Sequence, residues 1–348
     1  MQGGQQHKRP IAVPFPLRFL LALAVPALLT IACSAQDPQN TLAPAGDVAR
    51  MQANLYWTVF WWAVGVFVVV EGLLLYTILR FRRRPGDEIP RQLHGNVPIE
   101  VAWTIAPAVV LFFIGVPTIQ TLFRLAEPPA SEGPPLQVKV IGHQWWWEFQ
   151  YPDLGIVTAN ELHIPINQPV FLTLESADVI HSFWVPKLAG KTDVIPTRSN
   201  TMWLNAREEG NFYGQCAELC GEAHAHMRFR VIAESRSAFD AWVRLQRQPA
   251  RPPTDPLAQE GAQIFTSSGI CYTCHTVAGT QAQGKVGPDL THIASRTTIA
   301  AGIMENNEEN LRRWLRNPQA VKPGNFMRIP PLTEDQITKL IAYLRSLQ

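Results

Sequence analysis

The chain has 348 residues, of which 47% are apolar and only 17% charged, with 30 Lys and Arg against 28 Asp and Glu. That length allows two or three domains, the low charge points to membrane segments, and a net charge of +2 leaves no basic footprint for nucleic acid. Each of the five cysteines stands where chemistry is suggested, so none is left for an ordinary structural disulfide.

Residues 1–32 read as a bacterial export signal. Lys8, Arg9 and Arg18 supply positive charge, residues 19–32 are apolar, and Ala32 is a small residue just before Cys33. TIAC (residues 30–33) resembles a lipoprotein cleavage box, which would make Cys33 the lipidated first residue of the mature chain. Thr30 stands where such boxes usually carry Leu, and the competing readings are a plain signal peptide or an uncleaved short anchor.

A transmembrane hairpin follows over residues 50–126. Its apolar runs, about 55–79 with the single charge Glu71 and about 101–123 with none, each exceed the ~20 residues needed to cross a bilayer. The connecting loop carries Arg80, Arg82, Arg83, Arg84 and Arg91 against Asp87 and Glu88, which makes it cytoplasmic by the positive-inside rule. Everything after Phe123 then lies on the outer side of the membrane. Tyr56, Trp57, Trp61 and Trp62 cluster at the outer end of the first span, as an interfacial aromatic belt would.

After the linker EPPASEGPP the apolar period changes to two. Val138 and Val140, then Val170, Leu172 and Leu174, then Met227, Phe229 and Val231 alternate with polar residues, and an antiparallel β-sandwich over residues 136–235 is the natural reading. GHQWWWEFQYP puts Trp145, Trp146 and Trp147 in one strand, where alternation alone would bury one or two of them. Residues 236–256, ending in RQPARPPTDP, read as a second linker. Residues 257–348 return to a helical period: Ile337, Leu340, Ile341 and Leu344 form one stripe, with Thr333 and Gln336 placed as a capping box at its start.

CYTCH (residues 271–275) matches the attachment sequence for c-type haem, in which the thiols of Cys271 and Cys274 add to the haem vinyl groups and His275 binds the iron. A redox CxxC is the competing reading, but such motifs sit in a βαβ setting, which is absent here. The surroundings resemble class I cytochromes c. Gly261 and Phe265 fall on the helix before the motif, and GPDL (residues 287–290) looks like the loop whose proline carbonyl holds the haem histidine. The resemblance implies Met as second axial ligand. Met327, in KPGNFMRIP, stands in the family's position, although Arg328 follows it where proline is common; Met304 reads as a packing residue.

CAELCGEAHAHM (residues 216–227) packs two cysteines, two histidines, two glutamates and a methionine together. Two Cys and two His could close a tetrahedral zinc site. Zinc does not seek a thioether, however, and thiolate, imidazole and thioether on a β-sandwich favour copper. A single blue copper needs one Cys; two in one loop can bridge two coppers.

C-x-E-x-C-x3-H-x2-M is similar to the binuclear CuA signature of cytochrome c oxidase subunit II, and ADVIHSFWVP to the segment in which that family carries a further histidine, here His181. The resemblance runs from about residue 55 to residue 233 and, with the appended cytochrome c, resembles the caa3-type form over nearly the whole mature chain. It implies a multidomain membrane protein: a two-helix transmembrane hairpin, a cupredoxin-like antiparallel β-sandwich and an all-α class I cytochrome c domain. It also implies that Cys216 and Cys220 bridge two coppers, that His181 and His224 each bind one, and that Met227 and the backbone carbonyl of Glu218 are weak ligands. The Glu218 side chain would be left for a magnesium at the interface with subunit I. His226 does not match the spacing, and Glu222 reads as a loop carboxylate. Asp193 and Arg198 match a segment that the family keeps beside the copper-to-haem route, and are given no role beyond structural hydrogen bonding.

In the same family GHQW supplies an exposed aromatic through which cytochrome c delivers its electron, a role that maps to Trp145. Glu100, in E-V-x-x-W-T, maps to the entrance of a proton channel shared with subunit I; ordinary juxtamembrane placement is the competing reading. The implied function is a subunit of a haem–copper oxidase that passes electrons from haem c through CuA to the haem of subunit I, where oxygen is reduced to water and protons are moved. The implied partners are subunit I, subunit III, a cytochrome c or quinol–cytochrome c reductase as donor, and the bacterial inner membrane. A flexible linker over residues 247–256 would hold the haem at ~mM effective concentration. The rival readings are a CuA subunit of another reductase, such as nitric oxide reductase, and a membrane-anchored electron carrier. The hairpin and Glu100 argue against the carrier.

Overall fold

The computed structural model describes residues 37–89, 91–129, 133–267 and 271–348. The export segment and Cys33 lie outside the described residues.

Two long helices come first. α1 (Asp47–Arg80) and α2 (Val97–Ala126) are long and apolar enough to cross a membrane, and their central faces turn Leu, Val, Phe and Trp outward. No soluble helix could leave such a surface unburied, whereas a bilayer covers it. Trp62 stacks on Phe113 with ring centroids 5.5 Å apart, joining the pair. Asn96 caps α2 by accepting from the Ile99 amide at 3.4 Å, and the Glu100 carboxylate accepts from the Asn96 amide at 3.0 Å.

α1 begins earlier than its apolar run, and its first turn is not in the membrane part of the molecule. Val48, Ala49 and Ala53 are buried against the next domain. The Asp47 carboxylate accepts from Asn205 Nδ2 and Arg207 Nε, both at 2.8 Å, and the Ala49 amide donates to the Leu188 carbonyl at 3.1 Å. Gly46 permits this approach: a Cβ there would lie 2.3 Å from the Asn205 carbonyl. The next domain is thus bolted to the start of this helix.

That domain is a sandwich of two five-stranded sheets. One has the order β3 (Ile156–Ala159), β2 (Trp146–Tyr151), β1 (Leu136–His143), β5 (Val170–Ser176), β8 (Asn200–Leu204). The other has the order β4 (Glu161–Pro165), β10 (Arg228–Glu234), β9 (Gly210–Cys216), β6 (His181–Trp184), β7 (Lys191–Val194). The alternating residues named from sequence face inward: Val138, Val140, Val170, Leu172, Leu174, Met227, Phe229 and Val231 are all buried. The sandwich is not wholly antiparallel, because β1 pairs parallel with β5 and β4 parallel with β10. Each parallel partner is reached by a crossover through other strands, which alternation within one strand cannot reveal. At the centre Phe183 stacks on Phe229 at 4.6 Å, with Trp147 edge-on to both at 5.5 Å.

The segment after the sandwich departs from the expected linker. Residues 236–246 form helix α3 (Arg236–Gln246), capped by Ser235, with Phe239 and Val243 buried in the sandwich core. Only the Pro-rich remainder is extended, and it too is held. Arg247 Nε donates to the Leu154 carbonyl at 2.8 Å, His292 Nε2 bonds the Gln248 carbonyl at 2.9 Å, and the Ala250 amide bonds the Ala278 carbonyl at 2.9 Å.

The C-terminal unit is helical: α4 (Pro256–Thr266), α5 (Glu308–Arg316), α6 (Pro318–Val321) and α7 (Glu334–Ser346), with a two-stranded ribbon, β11 (Thr298–Ile299) and β12 (Met304–Glu305). α4 crosses α7 at Gly261, where a Cβ would fall 2.0 Å from the Lys339 carbonyl, and Phe265 packs edge-on to Tyr343 at 5.4 Å. Ile337, Leu340, Ile341 and Leu344 fill the core, and Thr333 and Gln336 form the expected capping box.

Candidate metal centre and haem cleft

The cysteine loop leaves the end of β9 and returns into β10, and His181 opens the neighbouring strand β6. This brings residues 35 positions apart in sequence into contact. Cys216 Sγ and Cys220 Sγ lie 3.7 Å apart. His181 Nδ1 is 3.9 Å from Cys216 Sγ, His224 Nδ1 is 3.5 Å from Cys220 Sγ, and Met227 Sδ is 3.8 Å from Cys220 Sγ. The Glu218 carbonyl lies 3.2 Å from Cys216 Sγ, while the Glu218 side chain faces solvent. His181 is fully buried, and His181, Cys216 and Cys220 present their donor atoms within 4.8 Å of one another. A largely buried set of two thiols, two imidazoles and a thioether, with His224 half-buried and no acidic side chain among them, fits a thiophilic metal of the copper kind better than a hard cation.

The thiols perturb one another. A bond from Cys220, ahead of the opposing effect of burial, favours the thiolate of Cys216; Cys216 in turn raises Cys220. The pair sheds its first proton easily, as a metal site requires.

Sequence reading missed Asp178. Its Oδ1 lies 2.7 Å from His181 Nε2, its Oδ2 accepts from the Gln144 amide at 2.6 Å, and its Oδ1 accepts from the Val179 amide at 2.6 Å. Burial alone would raise this carboxyl, but the bonds from His181 and the two amides lower it. The carboxylate fixes the His181 proton on Nε2 and leaves Nδ1 facing Cys216. Gly142 makes room for the ring, since a Cβ there would lie 2.8 Å from His181 Cδ2.

His226 makes no contact with the sulfurs; burial and the nearby Lys322 and Arg228 lower its pKa. Glu222 is not simply a loop carboxylate: it fills the space beside Gly324 of the cytochrome unit, where a Cβ would lie 2.6 Å from its Cδ. The Asp193 backbone carbonyl accepts from Asn200 Nδ2 at 2.7 Å.

The haem motif borders a cavity of about 250 Å³ lined by Cys271, Cys274, His275, Arg296 and Met327. His275 Nδ1 bonds the Pro288 carbonyl at 2.7 Å, so Nε2 is the nitrogen left for a metal. Burial lowers the His275 pKa and so favours the neutral ring. Gly287 leaves room for the ring, since a Cβ would sit 2.6 Å from its Cε1. Arg296 donates to the Asp289 carbonyl at 2.6 Å but its buried Nε has no partner. A cationic group with an unpaired donor in an apolar cleft suits a flat ligand that carries carboxylates, as haem does. Met304 packs in the domain core and does not line the cavity.

The cleft is also lined by Gln144, Trp145, Trp146 and Asn160 of the sandwich. All three tryptophans are buried, at 6%, 9% and 0% exposure for Trp145, Trp146 and Trp147. Trp145 is not the exposed aromatic that the resemblance implies, because the cytochrome unit of the same chain covers it. Its ring lies 5.0 Å from that of Phe326, its carbonyl accepts from Lys322 Nζ at 2.6 Å, and its Nε1 donates to the Cys220 carbonyl at 3.0 Å. Trp145 thus spans the gap between the cleft and the cysteine loop.

Comparison with known proteins gives matches along all three parts of the chain. The family "Cytochrome C oxidase subunit II, transmembrane domain" matches residues 41–121, "Cytochrome C oxidase subunit II, periplasmic domain" matches residues 155–234, and "Cytochrome c" matches residues 258–348. The chain is 40% identical over 339 residues to cytochrome c oxidase subunit 2 of Alkalihalophilus pseudofirmus, covering 96% of both chains. It is 42% identical over 341 residues to that of Bacillus sp. (strain PS3), covering 92% of this chain and 95% of the relative. It is 35% identical over 352 residues to that of Bacillus subtilis, covering 95% and 98%. The chain therefore belongs to the cytochrome c oxidase subunit II family and carries a fused C-terminal cytochrome c domain.

Proposed function

We propose that this subunit accepts electrons on its own covalently bound haem c and relays them through a binuclear CuA centre to the haem of subunit I. Oxygen is reduced to water there, with protons moved across the membrane. When bound, the cofactors would supply one-electron transfer with little reorganisation. The thiolates of Cys216 and Cys220, the imidazoles of His181 and His224, the Met227 thioether and the Glu218 carbonyl would hold the copper. Cys271, Cys274, His275 and Met327 would hold the haem. The exposed Glu218 side chain is free for magnesium at the subunit I interface.

The observation that carries this reading is the Cys216–Cys220 sulfur pair at 3.7 Å, flanked on either side by an imidazole nitrogen. Trp145, in contact with both the cysteine loop and Phe326, is the residue through which electrons arrive. Glu100 lies at the start of the second span and is assigned to the entrance of the proton path; its carboxylate also caps that helix. The arginine-rich loop supports a periplasmic position for the sandwich and the cytochrome domain. Subunit III and a cytochrome c or quinol-oxidising donor complete the assembly.

The test is oxygen uptake by the complex purified through this subunit, with Cys220→Ser as the control. The variant should keep a reducible haem c yet lose oxygen uptake. Uptake at the unaltered rate would remove the relay from the account.

A further inference from the structure

We infer that the cytochrome domain is fixed on the sandwich by a built interface centred on the buried Glu161 carboxylate, and that Glu161 is a positioning residue for transfer between the two cofactors. The inference rests on the cofactor reading given above, but its first test does not.

Glu161 opens β4 and is 1% exposed. The partners its carboxylate meets belong to the cytochrome domain. Oε1 accepts from the Thr297 hydroxyl at 2.7 Å, the Thr298 amide at 2.8 Å, the Thr298 hydroxyl at 2.8 Å and the Thr297 amide at 2.9 Å; Oε2 accepts from the Thr297 amide at 3.1 Å. An anion that receives two amides and two hydroxyls at once makes the stronger, charge-assisted kind of hydrogen bond. A chance contact between two surfaces does not converge four donors on one carboxylate.

The same ribbon is shaped for the sandwich. Between β11 and β12 the chain passes through Ala300, Ala301 and Gly302 at φ of 54°, 62° and 74°. Alanine enters this left-handed region only when its surroundings hold it there. Here the Ala301 carbonyl accepts from the Arg228 amide at 3.1 Å, and the Gly302 carbonyl from Arg230 Nη2 at 2.9 Å. A Cβ at Gly302 would lie 3.1 Å from the Phe229 amide nitrogen. Ala301 also joins Trp146 and Ala159 in a small apolar cluster that belongs to both domains. With Lys322 on the Trp145 carbonyl and the linker bonded to each side, the domain is clamped at several points.

In this arrangement Trp145 is closed to a diffusing cytochrome c. The resident haem is its obligatory donor, and an external reductant must reach the haem from another face.

The experiment uses the full chain loaded with copper and haem. Hydrogen exchange comes first. The Thr297 and Thr298 amides should be protected to the level of the sandwich core, and Glu161→Gln should raise their exchange by about tenfold or more while the β5 and β9 amides stay protected. The same variant should slow transfer from haem c to copper by about tenfold or more. Its haem potential and copper spectrum should be unchanged, and added reduced cytochrome c should now reduce the copper directly. If Glu161→Gln does not assemble, Thr297→Ala combined with Thr298→Ala breaks the clasp from the opposite side. Unprotected Thr297 and Thr298 amides in the parent chain would overturn the proposal, as would unchanged exchange and transfer in a correctly loaded variant. Absence of copper or haem in the parent chain would instead count against the cofactor reading and leave the exchange result to judge the clasp.

Discussion

The indole N–H of Trp145 donates to the Cys220 carbonyl at 3.0 Å, so the aromatic residue facing the haem cleft is tied directly to the cysteine loop. Trp145→Phe keeps a ring against Phe326 and removes the bond. Transfer from haem c to copper should fall by about tenfold, equal to about 1.4 kcal/mol of barrier. Copper and haem content should stay at parent levels. Flash-induced transfer at the parent rate would show that Trp145 is core packing and nothing more.

Asp178 holds His181 by its Nε2. Asp178→Asn removes the charge and keeps the shape. Copper affinity should drop about 10- to 100-fold, the usual cost of losing a ligand's outer partner. Competition with a copper chelator measures this, and an unchanged competition curve would remove Asp178 from the site.

Gly142 is required by the imidazole behind it, since a Cβ would lie 2.8 Å from His181 Cδ2. Gly142→Ala should cost about 1–3 kcal/mol through overpacking. Because the ring is what must give way, the copper spectrum should change along with the melting temperature. A lower melting point with an unchanged spectrum would mean that the strand moves instead of the ligand.

Glu148 supplies a pH dependence. Burial alone would raise its carboxyl, but His143 at 3.3 Å and Gln150 Nε2 at 2.5 Å bring it below the ordinary value of 4.5. The folded chain therefore binds fewer protons than the unfolded one between the two values, and stability rises with pH there. The contribution is complete above 4.5 and is lost as pH falls through the folded value. Glu148→Gln should lower stability at neutral pH by about 1 kcal/mol and flatten the acid limb of the curve. Thermal unfolding between pH 3 and pH 6 would test it, and parallel curves for parent and variant would contradict it.

Much of the site was legible because its chemistry is concentrated. Cys216, Cys220, His224 and Met227 sit in one loop, and CYTCH, GPDL and the Met327 loop each carry a local signature. The core strands and the Thr333 cap follow from local periodicity and spacing. What escaped is non-local. An acid three residues before a histidine has no signature of its own, so Asp178 could not be told from any turn residue. The burial of Trp145 depends on a domain that begins more than a hundred residues later. Helix α3 does carry a signal, Ser235 as cap and Phe239 with Val243 four apart, but the proline run beside it is the stronger one.

The most direct test of the central claim is a metal count with electron paramagnetic resonance on the oxidised full chain, matured with copper and haem. The account predicts two coppers per haem c and a signal from one unpaired electron shared by both coppers. One zinc, or a single isolated copper, would contradict it.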